Sequence, residues 1–417
     1  MIIKNIRIID PKNCIDEVTD ILIEDGRIKK IGNIDSVGDI DGTNLVMAPG
    51  FIDVHVHFRD PGFTHKEDIH TGAKSAAAGG YTTVICMANT KPIMDNVETL
   101  TDFKNRASKE DINVLTISAL TKNFNGNELV DMHAMVETGV LGFTDDGIPN
   151  TNNPLILEAM RKAKELDVPI SFHEEDPNLN IENGINHGVV SDEMGLFGAP
   201  SYSEDVMVAR EGVFALETGC KVNIQHISSA GAVELVRYFK SRGANIYAEA
   251  TPHHFTSTEE LVREKGTLAK MNPPLRTEVD RKAIIEGLKD GTIEIIATDH
   301  APHTKDEKMV EFTKAPSGII GLETAFGLGF TNLVKNGHLS LMELIGKMTI
   351  NPAELYKLER GSIEVGKVAD LVIFDIDEEF VVDKFYSKSS NSPYIGEKLF
   401  GKIKYTICNG KVVYKDL

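Results

Sequence analysis

Two histidines separated by one valine, His55 and His57, close an apolar run that opens Ala48-Pro49-Gly50-Phe51-Ile52-Asp53-Val54. Side chains two apart on a β-strand share a face, so both imidazoles can address one metal ion. Further residues of metal-ligand type end later apolar runs: Asp146, His173, His226 and Asp299. Neutral imidazole and carboxylate oxygen are the ligands that zinc and related divalent ions take in hydrolytic sites. Such an ion brings the pKa of bound water from about 15.7 to about 7, which supplies hydroxide for hydrolysis at neutral pH. A neighbouring carboxylate can take that proton and pass it to a leaving group, and Asp299 is the candidate for this acid–base work. Taken singly, two histidines on a half-buried strand are ordinary packing, and an aspartate at a strand end can cap a helix. The recurrence of ligand types at one kind of place in the chain sets these residues apart.

That place is defined by alternation. Apolar runs at 51–57, 81–88, 113–119, 139–144, 168–173, 221–227, 245–250 and 293–298 predict strands, and 67–78, 154–165, 204–217 and 232–242 predict helices between them. Strands alternating with helices in this way predict an α/β fold, a closed (β/α)8 TIM-like barrel spanning 51–360. The strand C-terminal ends of such a barrel meet on one rim, where active sites are built. The ligand-type residues fall at the ends of predicted strands one, four, five, six and eight. The two chain ends read as β-meanders, with Asp25-Gly26 and Asn409-Gly410 each between strand-like runs. A small β-sandwich module assembled from 1–50 and 361–417 is expected. The charged 305–308 stretch and the Pro316, Gly318 and Gly321 of 314–321 predict a mobile loop after strand eight.

A chain of 417 residues with 41% apolar and 26% charged residues has the composition of an ordinary globular protein with a large core. Forty-four basic against 63 acidic residues give a net charge of −19, which argues against nucleic acid or an anionic membrane as partner. An anionic substrate must then be captured by local positive charge. No signal-peptide pattern and no bilayer-length apolar run is found. Cys14, Cys86, Cys220 and Cys408 form no CxxC pair, which fits buried thiols in a reducing cytoplasm. Cys86 lies near a strand end with no activating neighbour in sequence and reads as packing.

Four motifs go further: Asp53-Val54-His55-Val56-His57-Phe58-Arg59-Asp60-Pro61-Gly62, Met87-Ala88-Asn89-Thr90, Phe143-Thr144-Asp145-Asp146-Gly147 and Ala297-Thr298-Asp299-His300-Ala301-Pro302-His303. With Gly366-Lys367-Val368-Ala369-Asp370-Leu371-Val372 near the C-terminus, the chain resembles the amidohydrolase superfamily nearly end to end, and more narrowly the class I bacterial dihydroorotase family. The resemblance implies that His55, His57 and Asp299 hold one zinc ion, that His173 and His226 hold a second, and that Asp146 bridges them where many relatives use a carboxylated lysine. Asp145 and Asp146 point to opposite faces of a strand, so only one can face inward; alternation leaves the choice open and the resemblance favours Asp146.

Substrate contacts are implied for His57, Arg59, Asn89, Asn272 and His303, with the backbone of Ser317 and Gly318 closing over the ring. Relatives often carry a larger residue where Ser317 stands. Singly, Asn89 and Asn272 read as turn residues and His303 as a loop histidine. Arg59 separates substrates: a guanidinium grips a carboxylate, which dihydroorotate carries on its ring and hydantoin and allantoin do not. The implied activity is zinc-dependent, reversible hydrolysis of (S)-dihydroorotate to N-carbamoyl-L-aspartate in pyrimidine synthesis, by a cytoplasmic homodimer associating with a carbamoyltransferase. The rival readings are another cyclic amidase, a hydantoinase or allantoinase, and a non-catalytic homologue acting as a structural partner; such relatives lose metal histidines, and all four are present here. His253 and His254 are expected to pack behind the site, His65 to lie in an exposed loop, and His70, His133 and His187 on surface or helix positions.

Overall fold

The computed structural model describes residues 1–181 and 184–416. Parallel strands follow one another in chain order: Phe51–Val56, Tyr81–Cys86, Asn113–Thr116 continuing as Ser118–Ala119, Phe143–Thr144, Ile170–Phe172, Val222–Ile224, Ile246–Ala250 and Ile295–Ile296. Each pairs in parallel with the next. The last meets the first through a parallel bridge from Val56 to His300, where the His57 N–H donates to the His300 carbonyl at 2.8 Å. Every residue of Phe51–Val56 and of Tyr81–Cys86 is buried, as befits parallel strands covered on both faces.

Helices lie between the strands and begin where short polar side chains satisfy their first amides. The Asp68 carboxylate accepts the Thr71 N–H at the start of Ile69–Ala78, and Ser229 accepts the Ala232 N–H at the start of Ala230–Ser241. Asn152 caps Asn153–Leu166, which carries Pro154 in its first turn and buries Ile156, Ala159, Met160 and Ala163 along one stripe. The predicted helix at 204–217 starts earlier, as Tyr202–Thr218.

Several strands are shorter than the apolar runs suggested: 139–144 contributes only Phe143–Thr144, 221–227 only Val222–Ile224, and 293–298 only Ile295–Ile296. The chain leaves extended geometry at the functional positions, with φ of 32° at His226 and 49° at Asp299, and the ladder ends before them.

Strands from both chain ends share one sheet, ordered Lys411–Lys415, Lys398–Cys408, Leu371–Val381, Val46–Pro49, Ile2–Asp10, Ile15–Glu24 and Arg27–Ile31. Its hairpin turns have positive φ at both central residues, 51° and 75° at Asp25 and Gly26 and the same at Asn409 and Gly410. That is the type I′ geometry matching strand twist. The two tips touch: a Cβ added to Gly410 would lie 2.5 Å from the Gly26 Cα. The segment expected to be a mobile loop is tied down. Lys305–Lys308 is a short helix capped by Thr304, and the buried Lys308 ammonium donates to the carbonyls of Pro316 at 2.8 Å and Gly318 at 3.1 Å. Among the described residues no helix is long and apolar enough to cross a membrane.

Phe51 packs at the centre of an aromatic cluster in the core. Its ring lies 5.7 Å from Tyr81, 5.1 Å from Phe326 and 6.4 Å from Phe374, so the first parallel strand packs on the terminal sheet. Phe51→Ala is expected to cost about 3–5 kcal/mol, read as a fall in the urea midpoint of unfolding with the slope unchanged.

Candidate active site

The ends of the parallel strands converge on a cavity of about 180 Å³. It is lined by His57, Arg59, Asn89, Asp146, His173, His226, Asn272, Asp299, His303, Ser317 and Gly318, with His55 fully buried beneath. Gly147 and Ala301, which stand in two of the quoted motifs, also line it and carry no chemistry-bearing side chain.

On the acidic side, His57 Nε2 lies 2.9 Å from Asp299 Oδ1 and 3.5 Å from Asp146 Oδ2. His55 Nε2 is 3.5 Å from one oxygen of each aspartate. His173 Nδ1 and His226 Nε2 face each other at 2.9 Å, and stand 3.6 and 3.7 Å from Asp146 Oδ1. Two sets of mutually close ligand atoms result: His55, His57 and Asp299, and His55, Asp146 and His226. His55 thus belongs to both sets, and His173 approaches the second through His226 and Asp146.

Asp145 is turned elsewhere. Its carboxylate accepts the N–H groups of Leu120 and Thr121 at 2.9 Å and the Thr121 hydroxyl at 2.6 Å, while Asp146 faces the imidazoles. Burial pushes the Asp145 carboxyl up to about 6 against those hydrogen bonds.

The cluster fits a cation. His55 Nε2 is buried between two carboxylates with no hydrogen-bond partner, which a metal ion would supply. Burial would raise both aspartates, yet the imidazoles outweigh it: His55, His173 and His226 hold Asp146 well below the carboxylate range, and His57 with His55 and His226 does so for Asp299. Burial opposes the charge on His173, but Asp146 and Glu175 push it up to about 10. Acids and imidazoles thus share protons in a crowded site, and binding a divalent ion displaces such protons.

Outer partners set which nitrogen each ring presents. His55 Nδ1 pairs with Glu249 at 3.1 Å, His57 Nδ1 with the Asn89 oxygen at 2.9 Å and His173 Nε2 with Glu175 at 2.8 Å. Glu249 and Glu175 were not singled out from sequence; Glu175 stands two residues after His173, the one local signal available.

The opposite side is cationic. Arg59, at φ 57°, donates Nε–H to the Pro302 carbonyl at 3.2 Å and brings Nη2 within 3.3 Å of His303 Nε2. His303 Nε2 is 2.9 Å from the Ser317 carbonyl, and the Ser317 hydroxyl donates to the Asn272 oxygen at 3.0 Å. Gly318, at φ 122°, passes so close that a Cβ would meet Ala301 Cβ at 2.6 Å. Burial and the Arg59, Lys66 and Lys308 charges push His303 down to about 2, so its ring is neutral.

The other histidines lie outside the cavity. His253 is buried and pushed down to about 4, and His254 is held by the Thr251 hydroxyl and the Pro273 carbonyl. His65, His70 and His133 are exposed, and His187 meets the Phe197 carbonyl. Burial pushes the Cys86 thiol well up, so it packs without reactive character.

Such a hydrolytic metal site at strand ends defines a class, and the chain's relatives agree. The amidohydrolase family profile matches residues 46–413. The chain is 61% identical to the dihydroorotase of Clostridioides difficile over 99% of both chains. It is 55% identical to that of Clostridium acetobutylicum over the full length of both. Among solved structures, the L-hydantoinase (dihydropyrimidinase) of Arthrobacter aurescens superposes with a TM-score of 0.87 at 25% identity, covering 99% of this chain and 96% of that one. The chain belongs to the amidohydrolase family and, within it, to the dihydroorotases: metal-dependent hydrolases of a cyclic amide, with a TIM-type α/β barrel and an added domain.

The two adjacent aspartates give a paired test. Asp146→Asn is expected to lower the divalent metal retained after dialysis, measured by elemental analysis. Asp145→Asn is expected to leave metal content unchanged while lowering stability by about 1–3 kcal/mol, because buried N–H groups lose a charged acceptor.

Proposed function

We propose that this chain interconverts (S)-dihydroorotate and N-carbamoyl-L-aspartate with two zinc ions per subunit, held by His55, His57, Asp146, His173, His226 and Asp299. The carrying observation is the juxtaposition of two unlike halves in one cavity: a His/Asp cluster with an unpartnered imidazole nitrogen, and a cationic wall of Arg59 beside His303. When bound, zinc ionises water and polarises a carbonyl. Asp299 takes the proton of the attacking water and returns it to the ring nitrogen as the C–N bond breaks. Arg59 and His303 grip the ring carboxylate with Asn89 beside them, and Asn272 holds Ser317 so that the 317–318 backbone covers the ring. His57, anchored by Asn89, serves both halves. A hydantoin or allantoin would leave Arg59 without a partner, which favours dihydroorotate over those rings.

The TIM-type core is read as a (β/α)8 barrel of residues 51–360 with a β module of 1–50 and 361–417, supported by parallel pairing in chain order and by the sheet shared between both ends. The proposal extends to a cytoplasmic homodimer that can associate with a carbamoyltransferase; three buried, unpaired cysteines support a reducing compartment.

Arg59→Met is expected to keep full metal content while kcat/KM for dihydroorotate falls by about 30-fold or more, since a lost charged partner costs about 2–5 kcal/mol. Steady-state assays beside elemental analysis check it, and wild-type turnover in the metal-loaded variant overturns the role. Asp299→Asn keeps an oxygen ligand and loses the base, so turnover should drop by about 100-fold or more with metal retained. Near-normal kcat in that variant would leave Asp299 a ligand only.

A further inference from the structure

Lys66 stands behind the cationic wall and touches none of the cluster residues. Its ammonium lies 3.2 Å from His303 Nδ1 and 2.9 Å from Glu307 Oε1, and its side chain is largely buried. An ammonium has only protons to give, so His303 Nδ1 must carry the lone pair. The Ser317 carbonyl, 2.9 Å from Nε2, has only lone pairs, so Nε2 must carry the proton. Arg59 Nη2, at 3.3 Å from that same Nε2, is likewise only a donor. Two donors that close repel until an acceptor oxygen comes between them.

We propose that Lys66 is a positioning residue that locks His303 in the Nε2–H form and so keeps it a hydrogen-bond donor toward a carboxylate gripped by Arg59. The proposal rests on the dihydroorotase reading for the identity of the carboxylate and on geometry alone for the lock.

The groups facing His303 explain why a lock is needed. Arg59 is cationic, Lys308 is a weaker source of positive charge because burial pushes it down to about 7, Asn391 accepts the His303 backbone N–H, and Glu307 Oε2 lies 3.8 Å from Nδ1 on the first turn of the following helix. Without Lys66 that carboxylate is the nearest charge to Nδ1. It favours a proton there, giving either the Nδ1–H form, which turns a lone pair on the substrate carboxylate, or the imidazolium. Lys66 both occupies Nδ1 and neutralises Glu307. The low pKa of His303 agrees with this placement of charge.

The test uses the zinc-loaded full-length protein with 15N-labelled histidine, the His303 signals being identified by their loss in His303→Gln. In wild type, long-range 1H–15N spectra should show the Nε2–H form, unchanged from about pH 6 to about 8.5. In Lys66→Met the His303 signals should titrate within that range or switch to Nδ1–H. Lys66→Arg should restore the wild-type pattern, and Glu307→Gln added to Lys66→Met should remove the titration. KM for dihydroorotate in Lys66→Met should rise by about tenfold at the alkaline end with kcat within about threefold, and should recover toward acid pH as the imidazolium forms. A His303 that keeps the Nε2–H form and does not titrate in Lys66→Met overturns the proposal. If Lys66→Met does not fold, Lys66→Gln takes its place, and a wild-type spectrum showing Nδ1–H overturns the lock by itself. Because the spectra need no turnover, failure of the lock and failure of the substrate assignment give different results.

Discussion

The carboxylate of Asp53 is the tie on which the site depends. It is fully buried, accepts the His55 N–H at 3.0 Å, and accepts the Thr298 N–H with both oxygens at 3.2 Å. One side chain thereby joins the first parallel strand to the last, one residue short of Asp299 and two short of His55. A slip of one residue in the first strand would turn His55 and His57 away from the cavity. The His57 N–H bond to the His300 carbonyl, at 2.8 Å, fixes the same register a few residues further on. Burial pushes the Asp53 carboxyl up to about 7 despite its hydrogen bonds, a measure of what it costs to hold a carboxyl there.

Given that register, the imidazoles are aimed by groups on their far sides, of which Asn89 also lines the cavity. Glu249 behind His55, Glu175 behind His173 and Asn89 behind His57 each occupy one ring nitrogen, which leaves the other pointing inward. Backbone conformation contributes as well. Arg59, His226 and Asp299 all have positive φ without being glycine, with values of 57°, 32° and 49°. Such residues are costly and persist where surrounding structure over-determines them, and here all three line the one cavity.

What could be read from the chain follows from what is local. The HxH pair and the ligand types at strand ends need only the two-residue strand period and the alternation of strands with helices, and the structure gathers all of them. The hairpins at Asp25-Gly26 and Asn409-Gly410 are equally local, because type I′ turns demand those residue types. The choice between Asp145 and Asp146 is not local: it is decided by the Leu120 and Thr121 amides, some 24 residues away in the chain. Glu249 is 194 residues from the His55 it orients, and no spacing rule reaches that far. Strand lengths at 139–144 and 293–298 were overestimated because an apolar run marks burial, while pairing ends where the backbone turns toward the site.

The charge distribution carries the last step. A molecule with a net charge of −19 repels an anionic substrate at long range, so on the proposed reading selection falls to Arg59 in the cavity wall and to the cations behind it. Arg59 is in the wall, Lys66 sits behind His303, and Lys308 is buried among the carbonyls of Lys270, Pro316 and Gly318, where burial pushes it down to about 7. Arg59 lines the same cavity as Asp146 and Asp299, so on the proposed reading a ligand with one anionic end and one amide fits in only one direction. On that reading, a cyclic amide without the carboxylate leaves the Arg59 guanidinium without the anion it would grip, at a cost of about 1–3 kcal/mol for each hydrogen bond left unmade. Discrimination would then come as much from what the wall does to the wrong ring as from what it offers the right one.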